Sequence, residues 1–473
     1  MNTSMRTPTK RKWLPALALA LSSGSLAFSV GAIAAPEQQQ PEAAEQQKLH
    51  DIAAHINADN IERDITKLVS FGTRHTLSET ASDTRGIGAA RRWIKAEFER
   101  ISADCGGCLE VYFQSRVISG EPRIPDPVEV VSVIAVQRGT SDPNRYVIMS
   151  GDIDSRVSDV MDYTSDAPGA NDNASGVAGT LEAARVLSKY QFNGSIVYAA
   201  LAGEEQGLFG GRIMAEQALA DGWFIEAVLN NDMIGNIEGI NGVIDNTTAR
   251  IFAEGTRMDE QPNEANRRRF TGGEVDSPTR NVARYIDQIA DRYIPNLDTM
   301  VVYRLDRFGR GGHHRPFNDL GFPGVRIMET NENYNRQHQD LRTENGIKFG
   351  DTLDGVDFDY AAKLTALNAV SLASMAWAPA PPANVAIAGA VQPSTSLSWD
   401  KVPGAAGYKI YWRYTDQPQW QFSRYVGDVT QFTLDNVVID NYFFGVASIS
   451  ADGYESPVVY PGPAGAFRVG RDN

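Results

Sequence analysis

Cysteine and histidine are scarce in this chain of 473 residues, which contains two cysteines and six histidines. This excludes a small secreted fold held together by a disulfide framework. Cations are in the minority as well, because 44 lysines and arginines face 59 acids, for a formal net charge of −15. Such an acidic surface argues against binding to nucleic acids or anionic membranes.

Long apolar runs are missing beyond the N-terminal segment, so no later stretch is expected to span a bilayer. The one such run extends from Trp13 to about Val30, after a basic start and before Ala32-Ile33-Ala34, which has the small-x-small cleavage form. Residues 1–34 are therefore predicted to be a signal peptide that exports the protein to the periplasm or beyond. The alternative is an uncleaved membrane anchor, because the run is long enough to serve as one.

The two cysteines lie close together, as Cys105-Gly-Gly-Cys108. In an exported protein this pair predicts a local structural disulfide. A zinc knuckle and a redox centre are the alternatives, but a thioredoxin-like centre would need the pair at a helix start within a βαβ unit. No such context is evident around Cys105 and Cys108.

Composition divides the rest of the chain into a leader, a main domain and a C-terminal domain. Residues 35–46 are rich in Pro, Glu, Gln and Ala and predict a disordered leader. Apolar stripes predict helices over residues 47–70, 86–101 and 360–377 of a main domain that spans 47–378. A proline-rich linker is expected at 379–383, and a short tail at 466–473.

Three apolar runs in the middle of the chain each end in acidic residues. The acids that follow these runs are Asp152 and Asp154, Glu204 and Glu205, and Asp232. Runs of this length separated by helical patterns predict parallel strands of an α/β sheet. Ligands bind beyond the carboxyl ends of such strands, so these carboxylates should converge. Because converging carboxylates repel one another and resist burial, they predict a divalent metal site.

The motifs around these acids resemble those of the family-28 metallopeptidases, in the same order and spacing. They are Gly151–Ser155, Pro168–Gly176, Gly203–Leu208, Asn231–Gly235, Gly312–Phe317 and Tyr334–His338. This family comprises co-catalytic zinc exopeptidases, among them bacterial leucyl aminopeptidases, and the likeness covers most of residues 60–375. It implies a mostly parallel sheet flanked by helices, and an exopeptidase that is most directly an aminopeptidase acting on peptides.

The resemblance also implies a two-ion site and its ligands, which are Asp152, Asp172, Glu205, Asp232 and His338. Asp172 would bridge the ions, with Asp152 and Asp232 on one side and Glu205 and His338 on the other. Zinc is expected, and the side held only by carboxylates could take manganese or another hard ion.

Three further features follow from the same resemblance. Glu204 would be the general base, next to the ligand Glu205. Asp154 would support Asp152 from behind. The peptide bond between Asp172 and Asn173 would be cis.

Two positions depart from the family pattern, because relatives usually carry His at the position of Asp152 and Asp at that of His313. A carboxylate still binds divalent metals, whereas His313 would change the polarity near the substrate. His314 matches a family histidine and is expected to stabilise the transition state. In the basic loop 304–312, Arg307 and Arg310 would either pair with neighbouring acids or bind a substrate carboxylate.

Several alternative functions remain open at this level. A carboxypeptidase or dipeptidase is favoured if the arginine loop faces the cleft. A single-zinc glutaminyl cyclase is also an option, since Asp172, Glu205 and His338 could hold one ion unaided. The alternative that is not an enzyme is a non-catalytic binding protein with a peptidase fold. The presence of Glu204 argues against it.

The segment 384–465 has short alternating strands divided by turn residues, at the spacing of an all-β sandwich. It resembles a fibronectin type III domain, with Trp399 as the core tryptophan and Tyr442 as the corner tyrosine. Its aromatic residues are expected to fill the core rather than to form a sugar-binding platform. Such a domain could bind the cell envelope or other proteins.

Overall fold

The computed structural model of the protein describes residues 46–461. The α-helices of this part are α1 Gln47–His55, α2 Ala58–Val69, α3 Gly86–Asp104, α4 Ser175–Leu187, α5 Glu204–Gly207, α6 Phe209–Ala220, α7 Pro262–Thr271, α8 Pro278–Tyr293, α9 His314–Asp319 and α10 Phe358–Trp377. Its strands are β1 Leu109–Ile118, β2 Val128–Gln137, β3 Asp142–Asp152, β4 Gly194–Leu201, β5 Phe224–Asn231, β6 Thr248–Phe252, β7 Asp298–Val302, β8 Gly324–Glu329, β9 Arg342–Glu344, β10 Ile347–Phe349, β11 Ala386–Ala388, β12 Thr395–Ser398, β13 Gly407–Tyr414, β14 Phe422–Gly427, β15 Gln431–Leu434 and β16 Tyr442–Ile449. The predicted signal peptide, almost all of the predicted leader and the predicted tail lie outside the described residues.

A sheet of eight strands forms the centre of the main domain, in the order β1-β2-β4-β3-β5-β8-β6-β7. The four central strands β4, β3, β5 and β8 are parallel, while β1 and β2 on one side and β6 on the other join antiparallel to their inner neighbours. The predicted α/β class, with a mostly parallel centre and flanking helices, is confirmed.

Helices cover both faces of this sheet, which explains why the sequences of its strands are continuous apolar runs. Along β3, Val147 and Met149 join a core with α1 to α4, α8 and α10, whereas Tyr146 and Ile148 join a second core with α6 and Phe317 of α9. Successive side chains of a strand point to opposite faces. The alternation in β3 therefore fills two separate cores from one strand.

Most predicted element positions in the main domain are confirmed, with one split. The helix expected over residues 47–70 is divided into α1 and α2 at Ile56 and Asn57, where both residues are extended. The Asn57 side chain accepts the backbone N–H of Asp59 and so caps α2. Asn57, which caps α2, lies within the apolar stripe. The first helix therefore ends before Asn57, although the apolar stripe continues into α2.

The cysteine pair follows α3, and Cys105 and Cys108 form the predicted disulfide. Within residues 46–461, no helix is both long enough and apolar enough to cross a bilayer.

The C-terminal part is an all-β sandwich of two three-stranded sheets, β11-β12-β15 and β14-β13-β16. Trp399 lies in its core, as expected, together with Tyr408 and Val446. The prediction that Tyr442 is the corner tyrosine is wrong, because its hydroxyl bonds to the side chain of Tyr414 rather than to the backbone. The Tyr408 hydroxyl instead accepts the backbone N–H of Val402, at 2.7 Å.

The predicted linker at residues 379–383 is packed rather than solvated. Pro379 and Pro382 are buried, and the Ser448 hydroxyl of the sandwich donates to the Ala380 carbonyl at 2.7 Å. Nearby, Arg413 of the sandwich and Asp276 of the main domain form a fully buried ion pair at 2.7 Å. A proline-rich composition indicates an extended chain but not whether its surroundings bury it.

Candidate active site

The acidic residues named from the sequence converge at one edge of the sheet. Asp152 is the last residue of β3, Asp232 directly follows β5, and Glu204 begins α5 shortly after β4. In the sheet, Gly151 lies opposite both Ala200 and Asn231, so the three strands end at the same level. The predicted convergence of these carboxylates is confirmed.

Asp172, Glu205 and His338 form a compact cluster, which we call the triad. The His338 Nε2 atom lies 2.9 Å from Asp172 Oδ2 and 2.9 Å from Glu205 Oε1. Burial on its own would lower the pKa of His338, but the two carboxylates outweigh it and raise that pKa to about 9. Two carboxylate oxygens and an imidazole nitrogen that converge in this way fit a zinc ion.

Asp172 is held by its backbone as well as by its place in the triad. It lies in the tight turn Ala170–Ala174 that leads into α4. The Asp351 carboxylate accepts the backbone N–H groups of Asn171 and Asp172, the latter at 2.6 Å. The Asp172–Asn173 peptide bond is cis, as the resemblance implies.

Asp154 supports a different partner from the one expected. Its carboxylate accepts the backbone N–H groups of Glu204 at 3.1 Å and Glu205 at 2.9 Å, and the Thr76 hydroxyl donates to it at 3.1 Å. Asp154 therefore fixes the start of α5, and with it both glutamates, rather than backing Asp152. Burial, followed by the charge of Glu205, raises the pKa of Asp154 to about 6.

Arg156 belongs to the site although the sequence reasoning did not name it. Its Nε donates to Glu205 Oε2 at 2.7 Å, and its Nη2 lies 2.7 Å from His338 Nδ1. One guanidinium thus binds Glu205 and contacts His338, two members of the triad. Alternation along the extended chain places residues 152, 154 and 156 on one side, which is the signal that could have indicated it.

Glu204 faces a cavity of about 420 Å³ that also contacts the triad. Burial, and then the charges of Glu205, Asp232 and Asp152, raise the pKa of Glu204 well above its usual value. Five arginines line the same cavity: Arg123, Arg156, Arg307, Arg310 and Arg315. Carboxylates and guanidinium groups therefore line the same cavity, although the protein as a whole is acidic.

Asp152 and Asp232, the other two predicted ligands, do not complete a second cluster. Within residues 46–461, the triad is the one set of three acidic or histidine side chains whose ligand atoms all converge. Asp232 Oδ2 instead pairs with Arg326 Nη2 at 2.7 Å, and Asp152 Oδ2 accepts the Asn173 side-chain amide at 2.7 Å. Arg326, on the central strand β8, was not identified from the sequence.

His313 and His314 are fully buried and are not among the residues that line the cavity. His313 Nδ1 accepts the backbone N–H of Gly211 at 3.1 Å, and His314 Nε2 donates to the Leu305 carbonyl at 2.8 Å. Burial, followed by the neighbouring His314, lowers the pKa of His313 to about 3. The structure thus gives neither histidine direct access to a substrate.

Arg307 and Arg310 do line the cavity, and both also pair with an acid. Each lies 3.1 Å from Glu332 Oε2, while Arg250 binds the other oxygen of the same carboxylate at 3.0 Å. One carboxylate is thus shared by three guanidinium groups. The structure shows the expected pairing of these arginines with an acid, and their binding of a substrate carboxylate stays a prediction.

Comparison with known protein families gives one match, to the model of peptidase family M28 over residues 132–350. Two curated relatives, both fungal, have the description "probable zinc metalloprotease". The one from Leptosphaeria maculans is 45% identical over 423 residues, which cover 89% of this chain and 98% of the relative. The one from Pyrenophora teres f. teres is 43% identical over 422 residues, which cover 88% of this chain and 87% of the relative.

Two solved structures from Legionella pneumophila share the fold. LapA matches with a TM-score of 0.51 and 21% identity, over 70% of this chain and 77% of LapA. LapB matches with a TM-score of 0.51 and 20% identity, over 70% of this chain and 75% of LapB. At this level of identity the likeness concerns the fold of the main domain.

Proposed function

The chain belongs to the zinc metallopeptidases of peptidase family M28, and we propose that it is an exported exopeptidase, an aminopeptidase that removes N-terminal residues from peptides. Glu204 is the general base of this proposal. The supporting observation is that Glu204 faces the cavity next to Glu205 of the triad, with both backbone N–H groups fixed by Asp154.

The triad would hold the zinc ion through Asp172 Oδ2, Glu205 Oε1 and His338 Nε2. When bound there, zinc supplies Lewis acidity toward the carbonyl group of the scissile bond. Glu204 takes a proton from the attacking water and passes it to the leaving amine. Burial and the neighbouring carboxylates raise the pKa of Glu204, which makes its carboxylate a stronger proton acceptor.

Replacing Glu204 with Gln tests the general base. Because glutamine cannot accept the proton, kcat on a small peptide should fall by roughly 10²- to 10⁴-fold, the usual contribution of a positioned general base. Zinc content measured on the same sample should stay unchanged. Glu216→Gln, on the exposed side of α6, serves as the matched control and should keep normal turnover. Near-normal turnover of a zinc-loaded Glu204→Gln variant would reject the assignment.

A carboxypeptidase or dipeptidase is the second candidate, and the arginines of the cavity wall favour it. Arg307 and Arg310 share Glu332 with Arg250, so a free substrate carboxylate could add to their hydrogen bonds. In this reading Arg310→Gln should raise KM for peptides with a free C-terminus. Arg304→Gln should not, because Arg304 donates to the Asp306 carbonyl within its own loop.

A panel of four versions of one peptide separates these activities: free, N-acetylated, C-amidated and doubly blocked. An aminopeptidase cleaves the C-amidated peptide and not the N-acetylated one, and a carboxypeptidase shows the reverse. A dipeptidase would require both ends to be free, in a peptide of two residues. A peptide with N-terminal glutamine, followed by mass spectrometry, reports the loss of ammonia expected of a glutaminyl cyclase.

Export rests on the N-terminal sequence, and a binding role of the sandwich rests on its resemblance to fibronectin type III domains. Both remain proposals. Fractionation of expressing cells, followed by N-terminal sequencing of the mature protein, would locate it and identify the cleavage site. Cleavage after Ala34 is the expected result.

A further inference from the structure

Both oxygens of Asp152 and one oxygen of Asp232 face hydrogen-bond donors from the protein itself. In the triad, by contrast, two carboxylate oxygens and an imidazole nitrogen converge on a common point. The guanidinium on the Asp232 side keeps its positive charge, whereas the imidazole of the triad can release the hydrogen on Nε2 and bind a metal ion through this atom instead. This difference bears on how many ions the chain holds.

Arg326 is the main donor on the Asp232 side. It is fully buried, and its guanidinium is held by four contacts. Nη2 lies 2.7 Å from Asp232 Oδ2 and donates to the Asp232 carbonyl at 3.2 Å, while Nη1 donates to Asp306 Oδ2 at 3.2 Å and to the Gly311 carbonyl at 2.8 Å. Arg307 Nη2 adds a second positive charge 4.0 Å from Asp232 Oδ2. A guanidinium held on two sides in this way is a fixed part of the site.

His313 is the donor that faces Asp152. Its Nδ1 accepts the N–H of Gly211, so in the neutral imidazole the hydrogen lies on Nε2. Nε2 is 3.6 Å from Asp152 Oδ1, and neither of these two buried atoms has a hydrogen-bond partner among residues 46–461. The other oxygen of Asp152 accepts the Asn173 amide. With its hydrogen on Nε2, His313 cannot offer this atom to a metal ion.

We propose that Arg326 supplies the positive charge on the Asp152–Asp232 side, so that the chain holds a single divalent ion, at Asp172, Glu205 and His338. A divalent ion bound between Asp152 and Asp232 would lie against the buried Arg326 guanidinium and be repelled by it. The exchange of residue types at positions 152 and 313 agrees with this arrangement. Asp152 stands where relatives usually carry a histidine, and it faces the imidazole of His313. Neither residue therefore offers an imidazole ligand to a second ion.

The number of zinc ions bound per chain of the mature protein, with its C-terminal domain retained, tests the proposal. Each variant is loaded with zinc, passed through gel filtration into metal-free buffer, and analysed by mass spectrometry for zinc per chain. We expect one zinc in the wild type, one in Asp232→Asn and none in His338→Ala. Arg326→Gln should gain a second zinc, because the change removes the buried positive charge and frees the carboxylate of Asp232. Arg250→Gln, which removes a neighbouring arginine bound to Glu332, is the matched control and should keep one zinc.

Two zinc ions in the wild type, or a loss of zinc in Asp232→Asn, would overturn the proposal. A folded Arg326→Gln variant that still holds one zinc would reject the role of Arg326. If that variant does not fold, the wild type and Asp232→Asn decide the matter alone. The inference shares with the proposed function only the assumption that the triad binds zinc. A protein that holds one zinc but cleaves no peptide would reject the proposed function and leave the count intact.

Discussion

The two halves of the site contain similar groups, yet their surroundings differ. In one half, Asp172 and Glu205 face the Nε2 atom of His338. In the other, Asp232 faces the Arg326 guanidinium, and Asp152 faces an amide and an imidazole N–H. A carboxylate at the end of a strand is therefore not yet a metal ligand. The groups that its oxygens face decide whether it binds a metal or a protein donor.

The largest difference between the halves should appear when each loses one member. His338→Ala removes the imidazole that the triad needs, so zinc binding and peptide cleavage should both be lost, with kcat/KM reduced roughly a thousandfold or more. Asp152→Asn should retain zinc, because Asp152 lies outside the triad. Zinc content and kcat/KM of the two purified variants provide the comparison. Equal loss of zinc in both variants would contradict it.

The triad should also give the protein a pH-dependent stability when zinc is removed with a chelator. The pKa of His338 is raised to about 9 in the fold, from an ordinary value of 6.5. The resulting stabilisation is complete below about pH 6.5 and is lost as the pH rises through about 9. A shift of one pKa unit corresponds to about 1.36 kcal/mol. The free energy of unfolding should therefore fall by up to about 3 kcal/mol over this range.

Urea unfolding of the chelated protein at pH 6.5 and 9 measures this change. His338→Ala is the control, because it should remove most of the pH dependence in this window. The sign follows from a raised pKa, so a chelated wild type that gained stability between these pH values would contradict the assignment.

Arg156 contacts the triad and not the half of the site that contains Asp152 and Asp232. A variant of Arg156 therefore tests one half of the site alone. Arg156→Gln removes the guanidinium that orients Glu205, and groups that orient metal ligands typically contribute 10- to 100-fold to metal affinity. The dissociation constant for zinc, measured by competition with a chromogenic chelator, should rise by about that factor. Arg63→Gln, on α2 and half exposed, should leave it unchanged. An unchanged constant in Arg156→Gln would mean that the triad is held without it.

The smallest expected effect concerns the contact between Asp152 and His313. Asp152→His and His313→Asp should each leave a buried polar atom without a suitable partner, at a cost of about 1–3 kcal/mol. The double variant restores an acid facing an imidazole, so it should recover much of that loss. Urea unfolding of the two single variants and the double variant gives the coupling free energy. Simple addition of the two losses would show that the side chains do not interact.

The sequence predicted the parts of the site that lie at strand ends or in motifs. Asp152, Asp232 and Glu204 follow apolar runs, and neighbouring parallel strands had to bring them to one edge. His338 was identified only through its motif, since a histidine in a polar loop carries no periodic signal. The sequence thus named all three residues of the triad, and the structure brings them together.

The arginines were missed for a physical reason. Arg326 lies in a strand whose other residues are mostly apolar, and its burial becomes favourable only when Asp232 and Asp306 arrive from distant parts of the chain. Arg156 likewise meets Glu205 and His338 only in the fold. The same limit applied to the proline-rich segment 379–383, in which Pro379 and Pro382 are buried although local composition could not indicate it. Tertiary partners, rather than local propensity, decide all three cases.

The most direct measurement of the central claim is anomalous diffraction from a crystal of the mature protein grown with zinc. Data collected on both sides of the zinc absorption edge locate every bound zinc ion. Our account predicts one peak per chain, within ligand distance of Asp172, Glu205 and His338, with Arg326 still bound to Asp232. A second peak between Asp152 and Asp232, with Arg326 displaced, would contradict it.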